Sequence, residues 1–402
     1  MHRFCVALAP FALLACASEV VTSSEPTGFD HDVVITMSLT VKPGEELHQC
    51  QLVTLPTDSE IEVVAFSHKY TAGSHHFLVF STDLEAIPSE MQGTYDCVNG
   101  DEPIMQHTEG ILYGGQSPTA TFPLPAGVGF KMKAHQVLML QTHYINPTGK
   151  EIEAKVSAGF DTAPAAEIRQ HAGFMIFYDP FIYVPAQSSS TSGIRCSVPS
   201  DINVVAAFTH YHQRGTSMRV WVDPSRSQES SAPIHETHDW EHPPDFEGPL
   251  GVSAGSVFRF ECAYTNGDAV DVFQGPNAAT SEMCVFAGLY YPQAKGDFDN
   301  CADLSITGHG DKACSDVLSC VRNCPGADAP RFTKGGVNVG PCWERCVAAG
   351  CPGAVDSLLP VTVCVDEQCA AECDSGDDAC AGCATTKCAA QVGGCFAQMC
   401  GG

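Results

Sequence analysis

The chain has 402 residues, enough for two or three domains with ample core. Its 47 acidic against 20 basic residues give a formal charge of −27. That excludes nucleic acid as a partner, which would need a basic footprint. The acidity reads as a solubility feature of an exported protein. A Gly-, Pro- and Ser-rich, lysine-poor sequence without long amphipathic runs reads as mainly β structure joined by turns.

Residues 1–16 carry Arg3 and then a short apolar run, too short to span a membrane and shaped like a secretory signal. Leu13-Leu14-Ala15-Cys16 resembles a bacterial lipobox with Cys16 as the lipidated residue, and Ala15-Cys16-Ala17 equally suits an ordinary signal peptidase. The expected location is the outer membrane or cell surface as a lipoprotein, otherwise the periplasm or the medium. A lipid on Cys16 would be the only membrane contact. Of the 22 cysteines, six lie between Cys50 and Cys301 and fourteen between Cys314 and Cys400. Even counts in an exported chain point to disulfides in both regions.

Residues 17–30 read as a polar tether. Strands are expected at Val33–Val41, Ile61–Phe66, His76–Phe80, Val137–Tyr144 and Ile152–Ala158, with Asp161–Glu167 as a linker. A second set follows at Gly173–Tyr178, Asn203–His212, Ser217–Val222, Val257–Ala263 and Met283–Tyr291. Short strands separated by turns predict two jelly-roll-like β-sandwich domains, at 31–162 and 163–303. Beyond residue 310 cysteines dominate, and 310–402 is expected to be a small, disulfide-rich, helical domain. Cys320-x3-Cys324 and Cys342-x3-Cys346 each put two sulfurs on one helix face, so two antiparallel helices would be stapled twice, and Cys369-x3-Cys373 begins another such pair. Spacing alone leaves the connectivity open.

Four places offer transition-metal ligands. In Ser74-His75-His76-Phe77 adjacent side chains point to opposite faces of a regular strand, so both approach one ion only where the backbone is irregular, which Gly73 favours. His143 ends the Val137–Tyr144 strand. His210 and His212, two apart, project the same way at the end of a buried strand. Met283 lies in Ser281-Glu282-Met283-Cys284. Imidazole is the commonest transition-metal ligand and a thioether is soft, favouring Cu(I). Each site alone has a plainer reading as a core or strand-end residue. Together they suggest a three-histidine set and a two-histidine-plus-methionine set. His235, His238 and His242 crowd a stretch rich in acid and proline that reads as a surface loop, and His68, His107, His135 and His171 read as structural or exposed.

In order and local context, Ser74-His75-His76, Leu140-Gln141-Thr142-His143-Tyr144, Thr209-His210-Tyr211-His212 and Glu282-Met283-Cys284 resemble the copper type II, ascorbate-dependent monooxygenases, the family of peptidylglycine α-hydroxylating monooxygenase and dopamine β-monooxygenase. Pro125–Phe130, ahead of His143, is similar as well. The resemblance covers roughly residues 31–301 and implies two sandwiches facing each other over a cleft. It implies two coppers per chain: an electron-donating one on His75, His76 and His143, and an oxygen-binding one on His210, His212 and Met283, the latter three being the catalytic set. It implies ascorbate as reductant, O2 and a small-molecule substrate as partners, and the bridges Cys50–Cys97, Cys196–Cys301 and Cys262–Cys284. Where the peptide-amidating members hold the substrate carboxylate with Arg, Asn and Tyr, this chain has Phe208, Val285 and Ala287. An apolar trio cannot pair a carboxylate, which argues against peptidylglycine. Glu282 remains open between gripping an amine and a structural role. The alternative to an enzyme is a copper-capturing surface protein, and the cysteine-rich tail is a candidate for binding a surface partner.

Overall fold

The computed structural model describes residues 29–97, 104, 107–241, 243–244, 246–275, 277–301, 307–325, 331–333, 336–374 and 377–400. The signal and nearly all of the tether, Cys16 included, lie outside these residues, as does His242.

The chain is mainly β, with its helices gathered at the C-terminal end. Val33–Val41 shows the local cause. Val33, Ile35, Met37 and Val41 are buried while Ser38 and Thr40 face outward, the period-two pattern of a strand with one face on a core. One sheet runs Val33–Val41, Ile152–Ala163, Ile61–Tyr70, Val128–Met132, Gln170–His171, with Thr119–Pro123 also pairing to Ile61–Tyr70. A second runs Thr94–Asp96, Glu46–Thr54, Val137–Ile145, Ser74–Thr82, Thr108–Gly115. Both supply one apolar cluster, from Met37 and Phe66 to Val79 and Leu140, so they pack as a sandwich.

The next two sheets are Gly173–Tyr178, Cys284–Tyr291, Ile202–Tyr211, Phe246–Val252 and Ser188–Ser197, Val257–Asn266, Gly215–Asp223, His235–Thr237. They share a core around Phe177, Phe258, Phe260 and Phe286. The expected linker shortens. The Ile152–Ala163 strand continues through it, pairing Asp161 with Ala65, and only Ala165–Glu167 form a helical turn. The strands Glu46–Thr54, Thr108–Gly115, Ser188–Ser197 and Phe246–Val252 were not legible, because serine, glycine or scattered polar residues blur their alternation.

The two sandwiches meet directly. Phe174, Ala287 and Leu289, with Val205, Phe208 and Val285 beside them, join the apolar cluster of the first sandwich. Helices Cys314–Val321 and Pro341–Ala348 are stapled by Cys320–Cys346 and Cys324–Cys342. Helices Ala354–Asp374 and Asp377–Lys387 are joined by Cys369–Cys383 and Cys373–Cys380. Cys314–Cys395, Cys351–Cys400 and Cys364–Cys388 close the tail. Val317, Trp343, Val347 and Leu358 belong to the same apolar cluster as the second sandwich, so the tail is packed onto it. No described helix is long and apolar enough to cross a membrane.

Candidate metal centre

The histidines of both sandwiches converge. On the first, Val137–Ile145 is flanked by Glu46–Thr54 and Ser74–Thr82, and the registers pair His143 with His48 on one side and with His76 on the other. Three imidazoles thus stand in a row across three adjacent strands, on one face. The His76 and His143 rings are 5.4 Å apart, and His48 stacks on His143 at 3.7 Å with 24° between planes. A ligand nitrogen from each of His48, His76 and His143 falls within 4.8 Å of the others.

His75 is delivered by an irregularity. The register shifts between Ser74, which pairs with Tyr144, and His76, which pairs with His143, so His75 is the extra residue of a bulge. Gly73, at φ 106°, turns the chain into it, a conformation that favours glycine. His75 thereby lies 5.3 Å ring to ring from His143 and 5.7 Å from His76, while also reaching His210 at 5.4 Å. Nitrogens of His75, His76 and His210 also fall within 4.8 Å of one another. The indole of Trp240 lies against His75 at 5.5 Å.

On the second sandwich His210 and His212 share a face, their rings 5.1 Å apart. His212 Nδ1 donates to the Ser281 carbonyl at 2.9 Å, which turns Nε2 toward the cluster. The Ile202–Tyr211 register pairs Tyr211 with Cys284, so His212 and Met283 each lie one residue beyond the paired ends of their strands. The Cys262–Cys284 bridge and a hydrogen bond from Tyr264 Oη to the Met283 carbonyl (2.8 Å) fix that segment. Cys50–Cys97 and Cys196–Cys301 are the other two bridges of the sandwiches. Glu282, fully buried, accepts the backbone N–H groups of His212 (3.1 Å) and Arg214 (2.8 Å). Both its oxygens are engaged, which is the structural role. Burial pushes its carboxyl up to about 7 against those hydrogen bonds.

The cluster suits a metal. His48 Nε2, His76 Nδ1, His143 Nδ1, His210 Nε2 and His212 Nε2 are buried and make no hydrogen bond among the described residues. An unsatisfied buried polar group costs about 1–3 kcal/mol. Five would offset much of a net stability of about 5–15 kcal/mol. Ligation by metal ions would supply partners to these nitrogens. Burial, and then the neighbouring imidazoles, hold His76, His143 and His210 far below the usual histidine range and bring His212 down to about 3. Burial brings His48 down to about 4. Each ring is therefore neutral, the form that binds a metal. His143 Nε2 donates to Glu46 Oε1 at 2.9 Å, which fixes its tautomer and leaves Nδ1 as the free lone pair.

His48, Glu46 and Trp240 escape the sequence reading. One signal for His48 was available, since in Glu46-Leu47-His48-Gln49-Cys50 it shares the inward face with Cys50. The other histidines have separate explanations. His68 is satisfied by Tyr113 Oη and the Ser117 carbonyl, both at 2.7 Å. His107 pairs with Asp83, His171 with Glu62, and His135 is exposed. His238 bonds the Thr216 carbonyl, and His235 packs near Phe246. The proximity of Cys324, Cys342 and Cys346 reflects two neighbouring disulfides.

Residues 172–307 match the family model for the copper type II ascorbate-dependent monooxygenase C-terminal domain. The DBH-like monooxygenase protein 1 of Homo sapiens is 22% identical over 312 residues, covering 70% of this chain and 50% of that protein. The chain thus spans about half the length of this curated relative. Among solved structures, the PBSX exported protein XepA has a TM-score of 0.18 at 6% identity, covering 64% of this chain and 86% of its own. PNGF-II has 0.25 at 9%, covering 65% of each. Scores this low carry no argument. Residues 172–307 thus carry the C-terminal domain of the copper type II ascorbate-dependent monooxygenase family, and the chain as a whole is similar to this curated relative.

Proposed function

We propose that the protein is an exported copper-dependent monooxygenase. It hydroxylates a C–H bond of a small or apolar substrate that is not a peptidylglycine, using O2 and ascorbate or another one-electron donor. The observation that carries this reading is the convergence from both sandwiches of buried, neutral imidazoles, each with a nitrogen that makes no hydrogen bond among the described residues. Bound copper would supply two single-electron transfers to O2. One oxygen atom ends in the product and the other leaves as water, taking up two protons.

His75, His76 and His143 would hold the donating copper, and His210, His212 and Met283 the oxygen-binding one. Glu46 orients His143, and the Ser281 carbonyl orients His212. Glu282 ties the backbone after His210 to the residue before Met283, so that the two parts of that set stay in register. Phe208 and Ala287 are cross-strand partners next to His210 and Val285, and these apolar positions disfavour a charged substrate group there. The disulfide-rich chain fits an extracellular location. Its anchoring through Cys16 and its partner at the tail belong to the same proposal.

Reconstituted protein should bind about two coppers and consume O2 with ascorbate when offered a suitable substrate, which mass spectrometry would find one oxygen atom heavier. Zero or one copper in well-reconstituted protein sinks the two-copper reading. Met283→Ala should abolish oxidation and leave the donating copper bound. Unchanged turnover refutes its role. One observation favours a second reading, copper capture without turnover: His75 and His76 stand ring to ring with His210, one continuous cluster rather than two separate sets. Copper binding with no O2 uptake across the substrate panel would select it.

A further inference from the structure

We propose that His48 is a copper ligand, joining His76 and His143 in an all-imidazole set drawn from three adjacent strands of the first sandwich. This rests on the copper reading above and adds a residue to it. Three observations carry it. The registers place His48 directly opposite His143, and His143 directly opposite His76, so the three side chains issue from one face at one level of the sheet. Their ligand nitrogens fall within 4.8 Å of one another, as a single ion requires. His48 is 3% exposed, yet its Nε2 makes no hydrogen bond among the described residues.

Stacking on His143 accounts for the face of the His48 ring but not for that nitrogen. A ring needed only for stacking would be served by phenylalanine, with no buried polar atom to satisfy. A histidine fits where the nitrogen has a partner, and an ion shared with His76 and His143, whose ligand atoms lie within 4.8 Å, would be one. His75, on its bulge, also forms a group with His76 and His210.

The test compares the intact chain with His48→Phe, which keeps an aromatic ring against His143 and removes the ligand nitrogen. His48→Gln serves as a second variant should phenylalanine disturb folding. Each protein is loaded with Cu(II) and passed through gel filtration. Copper per chain, the electron paramagnetic resonance spectrum and the imidazole count by X-ray absorption are then measured, with near-ultraviolet circular dichroism to check the fold. A competing chelator gives the affinity. Expected are a folded His48→Phe chain, an affinity of the first-sandwich copper lower by about tenfold or more, an altered hyperfine pattern and fewer imidazoles per copper. If the parent binds copper and both variants bind the same amount with the same spectrum and affinity, His48 is not a ligand and the proposal falls alone. If the parent binds no copper, the copper reading fails and takes this inference with it.

Discussion

The two sandwiches present the residues of the candidate metal centre by different means. On the first, His48, His143 and His76 stand on paired positions of three neighbouring strands, so the sheet's own hydrogen bonds set their spacing. On the second, His210 and His212 sit at a strand end, and Met283 belongs to the segment just before the next strand. There the ladder has run out, and other devices replace it: the Glu282 carboxylate, the Ser281 carbonyl and the Cys262–Cys284 bridge. A sheet interior gives a rigid set of like ligands. A strand end admits a methionine, at the cost of needing braces.

Breaking the braces should therefore harm the second set and spare the first. The largest effect is expected for Glu282→Ala, which removes the acceptor for two buried backbone N–H groups. Leaving a buried donor unsatisfied costs about 1–3 kcal/mol, so a loss of about 2–6 kcal/mol is expected. Chemical denaturation measures it, and copper at His210 and His212 should be lost with it. Next comes the double change Cys262→Ser with Cys284→Ser. Opening a loop of this size costs about 2–4 kcal/mol. The same denaturation should show it, with first-sandwich copper retained. Equal loss of copper from both sandwiches in either variant would show that the two sets are not braced separately.

The residues most legible in the sequence were those whose meaning is local. The two-residue spacing of His210 and His212 places them on one face without knowledge of any partner strand. His75 and His76 needed an irregular backbone, and Gly73 marked it. The cysteine spacing of the tail anticipated helices stapled in pairs. What was not legible depended on register between distant segments. Nothing near His48 says that it will pair with His143, 95 positions along, and a single strand histidine is by default a core residue. The resemblance implied sandwiches facing each other over a cleft, and their direct apolar packing was likewise hidden. It follows from Phe174, Phe208, Ala287 and Leu289 burying an outward sheet face on the first core, a contact between surfaces rather than within a segment.

The first sandwich has one brace of its own, and Glu46→Ala tests it. Without the carboxylate, His143 is free to turn or to change tautomer, and outer partners of this kind are worth about 10–100-fold in metal affinity. First-sandwich copper affinity, measured against a competing chelator, should fall by that factor, with little change in folding stability because Glu46 is partly exposed.

The smallest effect should come from the tail, and it decides how far the second set's bracing extends. Glu344 of the tail accepts the backbone N–H of Gln274 at 2.9 Å. Gln274 is bridged to Glu282, whose own N–H donates to the Phe273 carbonyl. A hydrogen-bonded route thus runs from a tail helix to the carboxylate that clamps His212. Beside it, Arg345 pairs with Asp271 at 3.0 Å and lies over the Phe273 ring at 4.7 Å, with half its side chain in solvent. Exposed ion pairs and cation–π contacts are each worth at most about 1 kcal/mol. Arg345→Ala should therefore lower stability by about 1 kcal/mol or less and leave copper bound at both sandwiches, because the buried Glu344 contact still holds the route. If Arg345→Ala instead released copper from His210 and His212, the tail would be part of the metal centre's scaffold in its own right, and the contrast between a first set spaced by its sheet and a second held by several braces would sharpen into a dependence on the disulfide-rich tail.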